Sequence, residues 1–403
     1  MVSSSLVEAF DSRRVFAEKA ERAAHWALQY LQAARPGRLP ERVGSLLQAL
    51  ASSAAYGRDA SLPLALADQL GPRLIRAGLW GEWEPYLREC LRLAQACGDH
   101  PAEFRLLLAL GDAHALRGDD PAGLPFLEQA IRLEKHGGER WVEPYTRLAE
   151  CQLSQGQPEL ARETLEQALS KANQRGDRLA QTNVTGQIGR VLRPGGEFEQ
   201  AAAYFERALE LSRQLGAANL ELSNLVHLGT LALDRGHSEL ALEYLAEATV
   251  MTAEQGELSG QGTTLINVGR VHLAAGRLDA ARCALEAGLA VHRALANRPK
   301  RAIALFSLGQ LAVRQGDLET ARGYLEEAGL ALQDTANDPL LARLQRAWGE
   351  YFAAAGQPER ARQAYDQSQA LFLGCGETWL AAQVAAQLAA QVAPQMAASG
   401  AVA

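Results

Sequence analysis

Apolar residues along the middle of the chain recur at helical spacing, in segments that single glycines separate. Leu225, Leu228 and Leu231, for example, fall on one face of a helix. A glycine then follows, and its backbone freedom allows the chain to end the helix and turn. Residues 240–248 form a second amphipathic segment. Because no sustained period-two alternation of β-branched residues is present, the pattern predicts antiparallel helical hairpins without strands.

The hairpin recurs at a nearly constant interval of 40 residues. Its marker is a glycine followed five residues later by an alanine, at Gly156/Ala161, Gly196/Ala201, Gly236/Ala241, Gly276/Ala281, Gly316/Ala321 and Gly356/Ala361. An earlier copy, Gly118/Gly123, lies 38 residues upstream. A small residue precedes each turn glycine by seven positions, and a bulky residue follows it by nine, as Gly269 and Leu285 do around Gly276. Columns in phase at this period define a repeat array in which small residues let paired helices approach closely.

The columns from about residue 101 to 377 resemble the tetratricopeptide repeat, which has the same order of small residue, turn, alanine and bulky residue. The usual period of that repeat is about 34 residues, so the 40-residue unit is similar to a longer-helix subclass found in kinesin light chains and many bacterial signalling proteins. Residues 20–31, followed by these repeats, also loosely resemble the sensor region of bacterial STAND regulators. The resemblance implies an all-α, right-handed superhelical solenoid that binds a protein or peptide.

The repeat pattern predicts four parts of the chain. Residues 1–100 form irregular N-terminal helices that include a degenerate repeat, and residues 101–377 form seven repeats. A terminal repeat is expected to be atypical, because one of its faces meets water. Residues 378–393 form a C-terminal capping helix, which ends at Pro394, and residues 394–403 form a disordered tail.

Composition narrows the class of protein. The net charge of -7 and the pI near 5.7 disfavour nucleic acid as a partner. No stretch approaches the roughly 18 apolar residues of a membrane span. The five cysteines form no C-x-x-C pair and no signal peptide is present, so reduced thiols and a cytoplasmic location are expected.

Signatures of catalysis and of cofactor binding are missing from the sequence. Residues 256–264 come nearest to a phosphate loop, but they lack its lysine and follow no strand. The eight histidines form no i,i+4 pair and no cluster with cysteine, so no metal site is expected. The chain is therefore predicted to be neither an enzyme nor a cofactor protein.

The first helices of successive hairpins are expected to line the concave face. Positions six before, two before and one after the small residue share one side of each helix. With the next residues along that face, the candidate binding residues are Asn183, Gln187, Arg190, Arg193, His227, Thr230, Asn267, Arg270, Gln310 and Arg314. In the subclass that the chain resembles, an asparagine two before the small residue contacts the ligand backbone, and Asn267 alone matches it. Acidic Asp112, Glu143 and Glu150 occupy this face in earlier repeats.

Two interpretations of this polar face remain open. It can simply face water, as most exposed polar residues do. It can also hold a peptide by hydrogen bonds to its backbone and carboxylates. The sequence favours a non-catalytic adaptor or sensor that binds a protein or peptide with an acidic segment. The alternative is a ligand-responsive regulator whose superhelix changes when a peptide or small molecule binds. The N-terminal helices around Trp80 and Trp83 are a separate candidate surface. The sequence does not indicate an oligomeric state.

Overall fold

The computed structural model describes residues 2–33, 42–76, 80–117, 120–333 and 338–400. Over these ranges the regular structure is helical and includes no strand, which confirms the predicted all-α fold. None of the helices in them is long and apolar enough to cross a membrane. The chain divides into two compact units, Met1–Cys151 and Gln152–Ala403.

The N-terminal unit is built on one hydrophobic core. Its helices are α1 (Val2–Ala33), α2 (Val43–Tyr56), α3 (Ser61–Arg76), α4 (Trp80–Cys97), α5 (His100–Arg117), α6 (Asp120–Arg132) and most of α7 (Glu143–Ser154). Trp83 and Leu87 of α4 share the core with Phe104 and Leu107 of α5. The change in repeat regularity predicted at residue 100 therefore does not separate two compact units, since residues on both sides of it pack together.

The C-terminal unit consists of successive helical hairpins and a final helix. Its helices are α8 (Pro158–Arg175), α9 (Arg178–Leu192), α10 (Phe198–Leu215), α11 (Ala218–Asp234), α12 (Ser238–Gln255), α13 (Leu258–Ala274), α14 (Leu278–Ala294), α15 (Arg298–Arg314), α16 (Leu318–Leu332), α17 (Asp338–Ala354), α18 (Pro358–Gly374) and α19 (Thr378–Gly400). The hairpins pair α9 with α10, α11 with α12, α13 with α14, α15 with α16 and α17 with α18. The predicted two-helix repeat is thus the building block of this unit.

The small and bulky columns meet where the two helices of a hairpin cross. A Cβ atom built on Gly269 would lie 2.6 Å from Cγ of Leu285, which is fully buried. The same contact recurs in the pairs Gly189/Phe205, Gly229/Leu245, Gly309/Leu325 and Gly349/Tyr365. Glycine is required in these five pairs because a side chain would occupy the space that the bulky residue fills.

The turn glycines adopt the left-handed conformation that their spacing predicts. Gly276, for example, has a φ of 73°, which side chains other than glycine rarely adopt. The other turn glycines with positive φ are Gly156, Gly196, Gly236, Gly316 and Gly356. Gly118, the marker of the first predicted copy, lies outside the described residues.

The last helix, α19, packs on the helix before it. Leu380, Ala381 and Val384 of α19 are buried against Tyr365 and Phe372 of α18. The helix passes through Pro394 and continues to Gly400. Proline removes one backbone hydrogen bond from a helix, and the alanines and glutamines around it are strong helix formers.

The beginning and the end of the C-terminal unit contact each other. The Trp379 ring lies edge-on to the Phe198 ring, with 5.0 Å between centroids. A Cβ atom built on Gly376 would lie 3.3 Å from Cα of Gly156. These contacts bring the start of α19 to the turn before α10, and they border the groove between the first helices.

Candidate functional site

The candidate site is a groove lined by the first helices α9, α11, α13, α15 and α17. Each of these helices packs against the first helix of the next hairpin, so their polar sides follow one another along a single surface. Two neighbouring cavities lie in this groove. The larger of the two has a volume of about 270 Å³ and the smaller about 180 Å³. Arg193 and His227 line both cavities and join them.

Six of the ten predicted binding residues line these two cavities. Arg193, His227, Thr230, Asn267 and Arg270 line the larger one. Arg190 lines the smaller one with Arg193 and His227. The helical spacing used on the sequence therefore brings the central candidates together, while their role in binding stays a prediction.

The other four candidates lie elsewhere or are engaged by neighbours. Asn183 and Gln187 line neither cavity, and Gln187 accepts a hydrogen bond from Arg190 at 2.5 Å. Gln310 donates to Glu350 across the next repeat at 2.9 Å. Arg314 donates to the carbonyl oxygen of Leu273 at 2.5 Å and lines neither cavity. The carbonyl holds the guanidinium away from the centre of the groove.

Positive charge dominates the larger cavity. Arg193, Arg270, Lys300 and Arg343 line it, and no carboxylate among the described residues does. At its edge Arg193 forms an ion pair with Asp234, with 2.6 Å between Nε and Oδ2. Arg343 and Glu377 form a longer pair of 3.5 Å. Within the described residues, neither Arg270 nor Lys300 has a carboxylate within ion-pair distance.

Asn267 and Arg270 are adjacent on α13, as their spacing of three predicts. Nη1 of Arg270 donates to Oδ1 of Asn267 at 3.1 Å. In the described part of the chain, the side-chain nitrogen of Asn267 donates to no protein acceptor. Its NH₂ group is therefore available to a ligand carbonyl.

The cations of the groove repel one another, which favours their uncharged forms. Burial, followed by repulsion from Arg343, lowers the pKa of Arg270 to about 10. Burial, followed by repulsion from Arg270 and Arg190, also lowers the pKa of Lys300. A negative ligand would remove part of this repulsion.

His227 stands between the two cavities as a neutral imidazole. Its ring stacks on Phe205 with centroids 5.1 Å apart. Burial, with repulsion from Arg190 and Arg193, holds the pKa of His227 well below its ordinary value of 6.5. The neutral ring can donate one hydrogen bond and accept another.

We expect His227 to make the protein less stable as the pH falls. Below about pH 6.5 the unfolded chain binds a proton at this residue that the folded chain does not, so the free energy of unfolding decreases until the folded pKa is reached. The slope from one such group is at most about 1.4 kcal/mol per pH unit. Urea unfolding at pH 7.5 and 5.5 should show a smaller loss for His227→Gln than for the native chain. His237→Gln, at an exposed position, is the matched control, and equal losses in all three proteins would contradict the assignment.

Sequence reasoning missed Lys300 and Arg343. Arg343 stands six positions before the small residue Gly349, in the column that includes Asn183 and Thr263. Lys300 stands nine positions before Gly309, three residues ahead of that column and so on the same side of its helix. The same column, continued into the next repeat, includes Arg343. A position one helical turn before that column includes Lys300.

The acidic residues expected on the same face of earlier repeats are paired within the N-terminal unit. Arg147 forms ion pairs with Asp112 at 3.0 Å and with Glu150 at 2.9 Å. Arg140 forms a pair with Glu143 at 2.7 Å. Their charges are therefore compensated by neighbouring arginines.

A cavity of about 420 Å³ lies outside the groove, beside an aromatic cluster of Trp348, Tyr351 and Phe352. Its charged residues are already engaged. Arg322 pairs with Glu326 at 2.7 Å, and Arg360 lies 4.0 Å over the Phe352 ring. Although its volume exceeds that of either cavity in the groove, this cavity offers fewer uncompensated charges than the groove does.

Family comparison agrees with the repeat pattern. Residues 178–254 and 255–328 match a tetratricopeptide repeat model, and residues 145–179 match a second model of the same repeat. The segment from 145 to 328 therefore consists of tetratricopeptide repeats. No curated protein sequence gives a significant match to the chain.

Several solved structures share the fold at low sequence identity. The Rap conjugation gene regulator of plasmid pLS20, in complex with the Phr* peptide, superposes with a TM-score of 0.58 at 16% identity, covering 82% of this chain and 97% of that one. The apo quorum sensor NprR from B. thuringiensis gives 0.55 at 15% identity, covering 88% and 99%. A STAND protein with a tetratricopeptide repeat sensor from Pyrococcus horikoshii gives 0.51 at 17% identity, covering 93% and 54%. These likenesses concern the fold.

Proposed function

We propose that the groove formed by α9, α11, α13, α15 and α17 binds a peptide segment of another protein, and that the chain is a non-catalytic adaptor or sensor. The observation that carries the proposal is the larger cavity, in which Arg270 and Lys300 lack carboxylate partners among the described residues. A surface that only faced water would not need to hold half-buried cations at a distance from their counter-charges.

The polar groups of the cavity suit a peptide with an acidic segment. The NH₂ group of Asn267 can donate to a backbone carbonyl of the ligand, and the guanidinium of Arg270 can donate to a carboxylate. Ile266 and Phe306, which also line the cavity, can provide apolar contact for a neighbouring side chain. Similar folds supply a precedent, since the Rap regulator of plasmid pLS20 was solved with the Phr* peptide.

The double change Asn267→Ala with Arg270→Ala should weaken peptide binding at least tenfold. Truncating a polar contact in a desolvated groove costs about 1–3 kcal/mol, and about 1.4 kcal/mol corresponds to a factor of ten. We would select binders of the native chain from a displayed library of random decapeptides. Dissociation constants of the enriched peptides would then be measured for both proteins by calorimetry.

The matched control is Glu243→Ala with Glu247→Ala on α12. Both glutamates are exposed, and Glu247 accepts a hydrogen bond from Arg213 outside the groove. This control should bind the selected peptides as the native chain does, and circular dichroism should give equal helicity for all three proteins. Peptides that bind both double variants as well as the native chain would refute the groove as the binding site.

A ligand-responsive regulator is the second candidate function, and the contact between Trp379 and Phe198 favours it. Trp379 lines the smaller cavity together with Arg190 and Glu377. A ligand that displaced Trp379 would change how the two ends of the C-terminal unit meet. Comparing the ligand-dependent fluorescence of the native chain with that of Trp379→Phe distinguishes a regulator from a rigid adaptor.

A further inference from the structure

The larger cavity collects positive charge from four separate segments of the chain. Arg193 follows α9, Arg270 lies on α13, Lys300 on α15 and Arg343 on α17. Within the ranges that the structure describes, no carboxylate lines this cavity. Four half-buried cations that line one volume of about 270 Å³ favour counter-charge there, because like charges close together repel one another.

The protein itself supplies only part of that counter-charge. Asp234 and Glu377 pair with Arg193 and Arg343 from the adjoining cavity. Among the described residues, Arg270 donates to the neutral amide oxygen of Asn267, and neither Arg270 nor Lys300 has a carboxylate within ion-pair distance. An external anion can therefore pair with these two cations.

Part of the cavity lining is apolar. Ile266, Phe306 and Leu340 contribute to it, each from a different first helix. A simple hydrated anion would gain nothing from these residues. A ligand with an anionic group attached to an organic body would use both the charged and the apolar lining.

We propose that this cavity binds a phosphate monoester, with its phosphoryl group between Arg270 and Lys300 and its organic part against Ile266, Phe306 and Leu340. The inference rests on the proposed function: if the groove binds a peptide, a phosphorylated side chain of that peptide occupies the cavity. A free organic phosphate has the same chemistry and is the other source of the phosphoryl group. A phosphoryl group carries a charge of about -1.5 to -2 at pH 7 and three acceptor oxygens. It therefore matches two uncompensated cations better than a single carboxylate does, and guanidinium groups bind it through paired hydrogen bonds.

The test compares phenyl phosphate, inorganic phosphate and benzoate as ligands of the full chain at pH 7.5. Calorimetry at equal ionic strength gives their dissociation constants, since salt screens such contacts. Phenyl phosphate should bind at least tenfold more tightly than benzoate, which has the same ring and one charge. It should also bind more tightly than inorganic phosphate, which has the charge without the ring. Equal binding of phenyl phosphate and benzoate, or no binding of phenyl phosphate, overturns the proposal.

The variant Arg270→Gln with Lys300→Gln separates a ligand site from a structural cluster. Without ligand its melting temperature should rise, because two mutually repelling charges are removed. Its affinity for phenyl phosphate should fall at least tenfold. Arg362→Gln, an exposed arginine of α18, is the charge-matched control and should retain the native affinity. Unchanged affinity of the double variant for phenyl phosphate contradicts the assignment, whatever its melting temperature.

The source of the phosphoryl group and the proposed function are tested separately. A selected decapeptide carrying phosphoserine should bind at least tenfold more tightly than its serine form if the group comes from a peptide. If phenyl phosphate binds but no decapeptide is selected, the peptide function fails and a free organic phosphate is the ligand class. If decapeptides bind through the groove but phenyl phosphate does not, only the phosphoryl inference fails.

Discussion

Trp83→Ala is expected to lower the free energy of unfolding of the N-terminal unit by about 3–5 kcal/mol. Trp83 is 1% exposed and lies in the core of that unit beside Leu87 and Leu107. A Cβ atom built on Gly71 would lie 3.4 Å from its ring, so α3 packs closely over it. Replacing the indole with a methyl group leaves a cavity that the close-packed helices can fill only in part. Denaturant unfolding followed by circular dichroism measures the loss, and hydrogen exchange locates it within residues 1–151.

Trp83→Phe is the control for this change. It keeps a ring in the core and removes the indole NH, which has no hydrogen-bond partner among the described residues. Its effect should therefore be clearly smaller than that of alanine. Equal and small effects of both changes would mean that Trp83 is not a core residue, and they would restore the N-terminal helices as a candidate binding surface.

Gly269→Ala and Leu285→Ala should each destabilise the C-terminal unit, and the double variant should lose less than the two losses added. Leu285→Ala empties a fully buried position and costs about 2–5 kcal/mol. Gly269→Ala places a methyl group 2.6 Å from Cγ of Leu285, and overpacking of this kind costs about 1–3 kcal/mol. In the double variant the new methyl group occupies space that the leucine has vacated. A coupling energy of about 0.5–3 kcal/mol is expected from a double-mutant cycle of unfolding free energies.

Gly323→Ala provides the matched control for the glycine change. Gly323 lies within α16, and a Cβ atom built on it would meet nothing within 4 Å. Alanine there should stabilise the helix by roughly 0.5–1 kcal/mol, because glycine loses more backbone freedom on folding. Additive effects of Gly269→Ala and Leu285→Ala would show that the two columns do not pack against each other.

The repeat columns are an example of what could be predicted well. The contact of Gly269 with Leu285 and the positive φ of Gly276 each depend on residues within one hairpin. Short-range contacts of this kind repeat with the sequence period, so six turn glycines and five crossing pairs follow the same rule. The adjacency of Asn267 and Arg270 follows for the same reason, since both lie on one helix.

Which cations line the cavities of the groove could not be predicted from the repeat columns of the first helices. Arg314 stands in a position like that of Arg193, yet a carbonyl oxygen holds it outside the cavities. Lys300 and Arg343 line the larger cavity although neither was chosen. Which of several exposed cations enters a cavity depends on the angle between neighbouring hairpins and on the acceptors nearby, which a single helix does not determine.

The sequence by itself determined the hairpins, their turns, their crossing residues and the side of each first helix that meets the groove, because these depend on spacing along one repeat. Only the tertiary structure decided that Arg193, Arg270, Lys300 and Arg343 line one cavity and that Trp379 contacts Phe198. The physical reason is that small rotations between successive hairpins add up along the array. Residues separated by many repeats are brought together by that accumulated rotation, and no local pattern records it.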